Sequence, residues 1–363
     1  MTLEELKIRQ LTNQYLITPS DHITVARDLC GAQAQFMPYA LHSLKIRCRD
    51  YDEETIKRDL VKNWTIRGTM HVFAKEDLPL FLHCKNGAEY RLDQWGGYRT
   101  WQRPDGTYSW YDDGGCQRVW SLTPERQKYF AALILDAVQD TPKTRDELKA
   151  ICRTAEMSEI EEDSMFQAWG GGIAELCRRG FMHYVVEEKK AYLASPDVEP
   201  IPEEAAKLEI ARRYFTNIAP ATVRDAAYFL GISQKDVKKY LEKLPVTTAE
   251  ADGKTYYYIE NGKDYGAAIP PCIFLSGFDQ LMLGYQKKES LYLAPEHLRG
   301  IFNLAGIVMP AVLLQGKVAG KWKKKNRKLT IEPFRRLTRR DKAAIEENAL
   351  LLWQDTVSIE CSV

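Results

Sequence analysis

Hydrophobic and polar positions recur first at helical spacing and then, toward the C-terminal end, at the spacing of short strands. Residues 3–15 read as a helix. Asp21, after a turn at Thr18-Pro19-Ser20, can cap a second helix over 23–29, and a third is expected over 53–63. Residues 64–67 and 69–73, split by Gly68, have the pattern of a small hairpin. Helices followed by a hairpin are the outline of a winged helix.

That outline recurs twice. Thr123-Pro124 opens a helix to residue 138, Thr144-x-x-Glu147 is a capping box for another, and a third runs to about 179 before Gly180. Residues 181–186 and 191–194 then flank a charged turn as a wing. In the third copy, 226–230, Gly231-Ile232-Ser233 and 236–244 have helix-turn-helix spacing, and 256–259 supplies a wing strand. Helix hairpins of this kind also serve as packing units in other folds. From about Cys272 strand-like runs take over, at 272–275, 306–314, 317–322 and 328–333, with Gly316 and Gly320 as turns. Thr338-x-x-Asp341 opens a last helix through Trp353. The expected class is α+β. Its segments are helical modules at 1–93, 121–198 and 199–268, a connector at 94–120 and a β unit at 269–363. The connector holds Trp95, Trp101, Trp110 and Trp120, and suits either an ordered link pinned by aromatic burial or a stacking surface for bases.

With 363 residues and 45% hydrophobic content, the chain can bury the cores of two or three domains. Its longest apolar runs fall short of the roughly 18 residues of a membrane span, and acid stands at the N-terminus where a signal peptide carries base. A cytoplasmic protein with no membrane association is expected. Eight cysteines without a C-x-x-C and six histidines without metal spacing give no reason to expect a metal, and no cofactor motif is present.

The net charge of +1 hides a divided molecule. Between Lys317 and Arg340 stand eleven Lys and Arg against Glu332 alone, so this stretch carries +10 and the remainder −9. A basic hairpin of Lys321, Trp322, Lys323, Lys324 and Lys325 suits phosphate contacts, with the indole as a wedge against bases; a solvated basic face is the plain alternative. Hydrolase elbows, P-loops and dinucleotide fingerprints are missing. Asp279 suits either a catalytic carboxylate or a turn-stabilising residue, and His71 either a place beside DNA or a structural hydrogen bond. Gln33-Ala34-Gln35 means little in isolation.

In context it means more. The stretches Leu29-Cys30-Gly31-Ala32-Gln33-Ala34-Gln35, Trp64-Thr65-Ile66-Arg67-Gly68-Thr69-Met70-His71, Phe278-Asp279-Gln280-Leu281-Met282-Leu283-Gly284-Tyr285 and Gly306-Ile307-Val308-Met309-Pro310-Ala311-Val312-Leu313 with residues 316–322 span most of the chain. Together they resemble the bacterial winged-helix DNA glycosylases of the AlkZ and YcaQ type. The resemblance implies three tandem winged helices and a C-terminal β-barrel-like domain forming a basic DNA-binding face. It implies that Gln33 and Gln35 match the catalytic Gln-hydrophobic-Gln motif, with Arg67, His71 and the basic hairpin as DNA contacts. The implied activity is monofunctional hydrolysis of cationic N7-alkylated purines, bulky or crosslinked ones included, in double-stranded DNA. A monomer without an obligate protein partner is expected. The aromatic segment at 94–120 and the glycines at 170–172 depart from the pattern. Two other readings compete: a winged-helix transcription regulator, and an inactive lesion binder.

Overall fold

The computed structural model describes residues 1–65, 67–81, 101–102, 108–111, 117–120, 122–167, 171–196, 201–355 and 358–361. The chain is α+β and divides into two compact units that are not consecutive stretches. One comprises Met1–Ile56, His71–Phe73 and Lys207–Val363, the other Lys57–Met70 and Ala74–Ala206.

In the first unit, helix Leu3–Asn13 begins at a Thr2–Glu5 capping box and is anchored by its polar face. Gln10 Nε2 donates to Pro220 O at 2.7 Å, and Asn13 Nδ2 to Ala219 O at 2.6 Å. Helix Val223–Leu230 ends at Gly231 in the left-handed region, and helix Gln234–Leu241 starts at the Ser233 cap, as the spacing predicts. The hairpin Thr247–Ala251 with Lys254–Tyr258 follows, giving the order helix, turn, helix, hairpin.

The same unit holds a five-stranded sheet in the order Cys272–Leu275, Ala311–Leu314, Lys317–Lys325, Lys328–Pro333, Ser358–Cys361. All its pairs are antiparallel except the last. One face packs Phe274, Val312, Leu329 and Ile331 against Ile345 and Ala349 of helix Arg339–Leu352. Among the described residues this sheet is open, so the expectation of a barrel-like closure is corrected: the edges Cys272–Leu275 and Ser358–Cys361 do not pair. Gly320 is not a turn but lies inside the long strand, opposite Pro333, where an added Cβ would meet Glu332 O of the neighbouring strand at 2.5 Å.

The second unit is built on helices Pro124–Ala137, Arg145–Thr154, Glu159–Met165 and Gly172–Arg178, around Phe130, Ile134, Leu148, Leu176 and Met182. Met182–Tyr184 and Ala191–Ala194 pair antiparallel. The helix expected over 53–63 stops at Asp59, and Leu60–Trp64 is a strand instead. On one side it meets the nearby strand Met70–Ala74, and on the other its partner comes from far along the chain, Lys62 lying opposite Tyr184 and Asn63 Nδ2 donating to Cys177 O at 2.8 Å. Non-local pairing outweighs local helical preference there. In the aromatic connector, Trp101–Gln102, Tyr108–Tyr111 and Gln117–Trp120 form a three-stranded sheet; Trp95 lies outside the described residues. No described helix is long and apolar enough to cross a membrane, and no described cluster of three His, Cys, Asp or Glu could hold a metal.

Candidate active site

The glutamine motif follows a sharp exit from helix His22–Asp28. Cys30 and Gly31 both have positive φ, 55° and 83°, and Gly31 N closes on Ala26 O at 2.8 Å. Ala32–Gln33 then pairs antiparallel with Met70–Ala74, with Gln33 opposite His71. Gly31 lies so close to that strand that an added Cβ would meet Val72 O at 2.9 Å. Only glycine fits both the backbone angle and the space.

Extended backbone sends successive side chains to opposite sides. Ala32 and Ala34 are buried, whereas Gln33 is half-buried and Gln35 exposed. The two carboxamides therefore share one face, and Gln33 Nε2 donates to Gln35 Oε1 at 3.4 Å. Gln33 keeps its carbonyl and Gln35 its NH2 and a second lone pair, so the pair can hold a water or a polarised sugar.

Beyond Gln35 the chain enters helix Met37–Lys45, with Pro38 in its first turn. This helix was not expected from the sequence, although Met37, Ala40 and Leu44 are buried at helical spacing. Phe36, at its N-cap, lies 6.1 Å from Phe278 in a stacked pair and 5.6 Å from Tyr39 edge-on. Phe278 has φ of 54°, and Gly277 before it is pressed onto Tyr39, where an added Cβ would come within 2.5 Å of the ring.

Asp279 is not a catalytic carboxylate but a buried anchor for this turn. Arg47, at the end of the helix, donates to its Oδ1 at 2.7 Å and Oδ2 at 3.0 Å, with both side chains fully buried. Ser276 N, Ser276 Oγ and Leu281 N also donate to it. Burial alone would push its carboxyl up, but the Arg47 guanidinium and these donors hold it below the ordinary value. Arg47 additionally donates to Gln14 O, Ser43 O and Ser43 Oγ. Nothing local in the sequence marks Arg47 or Tyr39 as part of the site.

The helix after the glutamines also meets the basic hairpin. His42 lies 4.9 Å from Trp322 and stacks on Trp353 at 5.5 Å, while its Nε2–H donates to Phe274 O at 2.7 Å. Burial pushes His42 down to about 4, so the ring is neutral. Trp322 donates through Nε1 to Leu275 O at 2.8 Å and packs against the sheet core. The expectation of Trp322 as a wedge is therefore corrected, because its indole is committed inward. Along the hairpin, Lys321 and Lys323 pair with Glu332 and Lys324 with Asp355, all part-exposed pairs that water and salt screen. Lys325 is exposed, and with Lys323, Arg327 and Lys328 it lines an open groove.

The two remaining DNA candidates fall differently. Arg67 lies half-buried in the turn closed by Thr65 N to Thr69 O at 3.1 Å, in the second unit. His71 is fully buried beside the glutamine strand, so direct DNA contact by its side chain is corrected to a place in the interior.

The sequence model of the DNA glycosylase AlkZ-like family matches residues 26–352. The interstrand DNA cross-link repair glycosylase of Streptomyces sahachiroi is 28% identical over 355 residues, covering 91% of this chain and 89% of the relative. The solved structure of Streptomyces sahachiroi DNA glycosylase AlkZ superposes with a TM-score of 0.71 over 100% of both chains at 22% identity, a likeness of fold.

Proposed function

Because this chain belongs to the AlkZ-like DNA glycosylase family, we propose that it hydrolyses the N-glycosidic bond of cationic N7-alkylated purines in double-stranded DNA. Crosslinked purines are included in the proposal, since crosslink repair is what the Streptomyces sahachiroi relative is named for. The observation that carries the reading is the carboxamide pair of Gln33 and Gln35 on one open face.

An N7-alkylated guanine is already cationic, so it departs as a neutral base without a general acid. The glycosidic electron pair moves to N9 and discharges the purine, and positive charge builds on the sugar. What the protein must supply is a held water and an oriented dipole toward that sugar, and an amide oxygen supplies both. Water adds to C1′ and its proton leaves to solvent. Gln is no base near neutral pH, which suits a leaving group that needs no proton. With no lysine forming a Schiff base, the strand stays intact. Lesions too bulky for a snug pocket are read while exposed in a groove, in contrast with ordinary base flipping.

The proposal takes the modules at 1–93, 121–198 and 199–268 as three tandem winged helices. Phosphate contacts are assigned to Arg67, to the exposed Lys325, and to Lys321, Lys323 and Lys324, whose part-exposed ion pairs can exchange for phosphates.

The test is single-turnover base release from a duplex carrying one N7-methylguanine, comparing the intact protein with Gln33→Ala and Gln35→Ala. Release that is lost in Gln35→Ala while duplex binding persists supports the reading. Failure of the intact protein to release N7-methylguanine, a bulky N7 adduct or a crosslink, with binding retained, would favour the inactive binder, and β-elimination would refute the mechanism.

A further inference from the structure

Of the twelve phenylalanines, Phe36 is the one exposed among the described residues, at 44%. Apolar rings are usually covered, and this one directly follows Gln35. It is also held rigidly. Phe278 stacks behind it and Tyr39 meets its edge. Phe278 is itself fixed by a turn whose Gly277 touches Tyr39 and whose Asp279 is locked to Arg47. Two rings and a buried ion pair thus hold one aromatic ring open beside the carboxamide pair. A loose surface phenylalanine would need none of this support.

We propose that Phe36 is a substrate-contacting, specificity-determining residue, whose exposed ring takes the cationic purine held at the glutamine pair. The inference rests on the glycosylase reading above and adds the basis of lesion choice. A phenyl face is electron-rich and attracts a cation, so an N7-alkylated purine gains an attraction that normal guanine does not. A damaged base that is charged but sterically modest is thereby distinguished from its neighbours without a closed pocket. The charge leaves the purine as the glycosidic bond breaks, so this contact favours the bound substrate and not the transition state. Phe36 therefore tightens capture of the lesion at some cost in rate, and the glutamines lower the barrier once it is bound.

The experiment measures affinity for two duplexes that differ only in charge. One carries a 2′-fluoro-stabilised N7-methylguanine, which resists cleavage during the measurement. The other carries 2′-fluoro 7-methyl-7-deazaguanine, a neutral base of the same shape. Phe36→Leu keeps an apolar side chain over Phe278 and removes the π face. The preference for the cationic duplex is expected to fall about ten-fold in Phe36→Leu and to survive in Phe36→Tyr. Because the lost contact belongs to the bound substrate, single-turnover release at saturating protein should rise in Phe36→Leu by up to the same factor, and a fall would overturn the inference. An unchanged preference in Phe36→Leu, or equal weakening on both duplexes, would overturn the inference. The same holds if the intact protein shows no preference. Base release by the intact protein and by Gln35→Ala tests the glycosylase reading separately, so the two failures are distinguishable.

Discussion

Replacing Asp279 with Asn keeps the volume of the side chain and removes its charge. The Asp279 carboxylate accepts five hydrogen bonds, two from Arg47, two from Ser276 and one from Leu281. With an amide oxygen in place of Oδ1, the contacts to Arg47 and Leu281 on that side survive. The amide nitrogen then replaces Oδ2 and faces the other Arg47 N–H and the Ser276 N–H, donor against donor. The guanidinium is left buried and uncompensated, which costs about 3–5 kcal/mol when one partner of such a pair is removed. Urea denaturation at pH 7, followed through tryptophan fluorescence, should show that loss as a lower midpoint with the slope preserved. The double variant Arg47→Met with Asp279→Leu should recover most of it, since an apolar pair carries no stranded charge. A loss below about 1 kcal/mol would refute the buried-anchor account. So would an Asp279→Asn protein that is fully stable yet releases no base, because that result would make the carboxylate catalytic.

Two further outcomes follow from the same geometry. Gly31→Ala forces a Cβ against Val72 O at 2.9 Å and a φ of 83° on an L-residue, so a loss of about 1–3 kcal/mol is expected, with slower base release because Gln33 moves. Thermal denaturation and single-turnover release together check it, and an unaffected protein would show that the strand at Ala32–Gln33 has slack. His42 is held neutral by burial, down to about 4, so the unfolded chain takes up the proton first. Its contribution is undiminished above the ordinary histidine value near 6.5 and erodes as pH falls toward about 4. His42→Phe should therefore flatten the loss of stability between pH 7 and pH 5 by about 2 kcal/mol relative to the parent, read by urea denaturation at both values.

Much of the architecture was legible because it is local. Thr144 and Thr338 cap their helices through residues three positions on, and Ser233 does the same beside the Gly231 turn, so a short window of sequence holds all the determinants. The hairpin of Met182–Tyr184 and Ala191–Ala194 likewise joins strands separated by only a short charged turn. The glutamine motif was legible through a resemblance, and not from its composition, since two glutamines around an alanine specify no geometry by themselves. Tertiary structure decided the rest. Leu60–Trp64 turned from expected helix to strand within a sheet that also takes in Met182–Tyr184, and the β unit carries Ser358–Cys361 along one edge in parallel. Trp322 turned inward because Leu275 O and the rings of His42 and Trp353 were there to receive it. The support of the site depends on Arg47 finding Asp279, 232 positions away, and on Phe278 arriving behind Phe36. Periodicity and capping act over a few residues, whereas a buried charge or an exposed ring is defined by what the rest of the chain brings to it, and that exists only after folding.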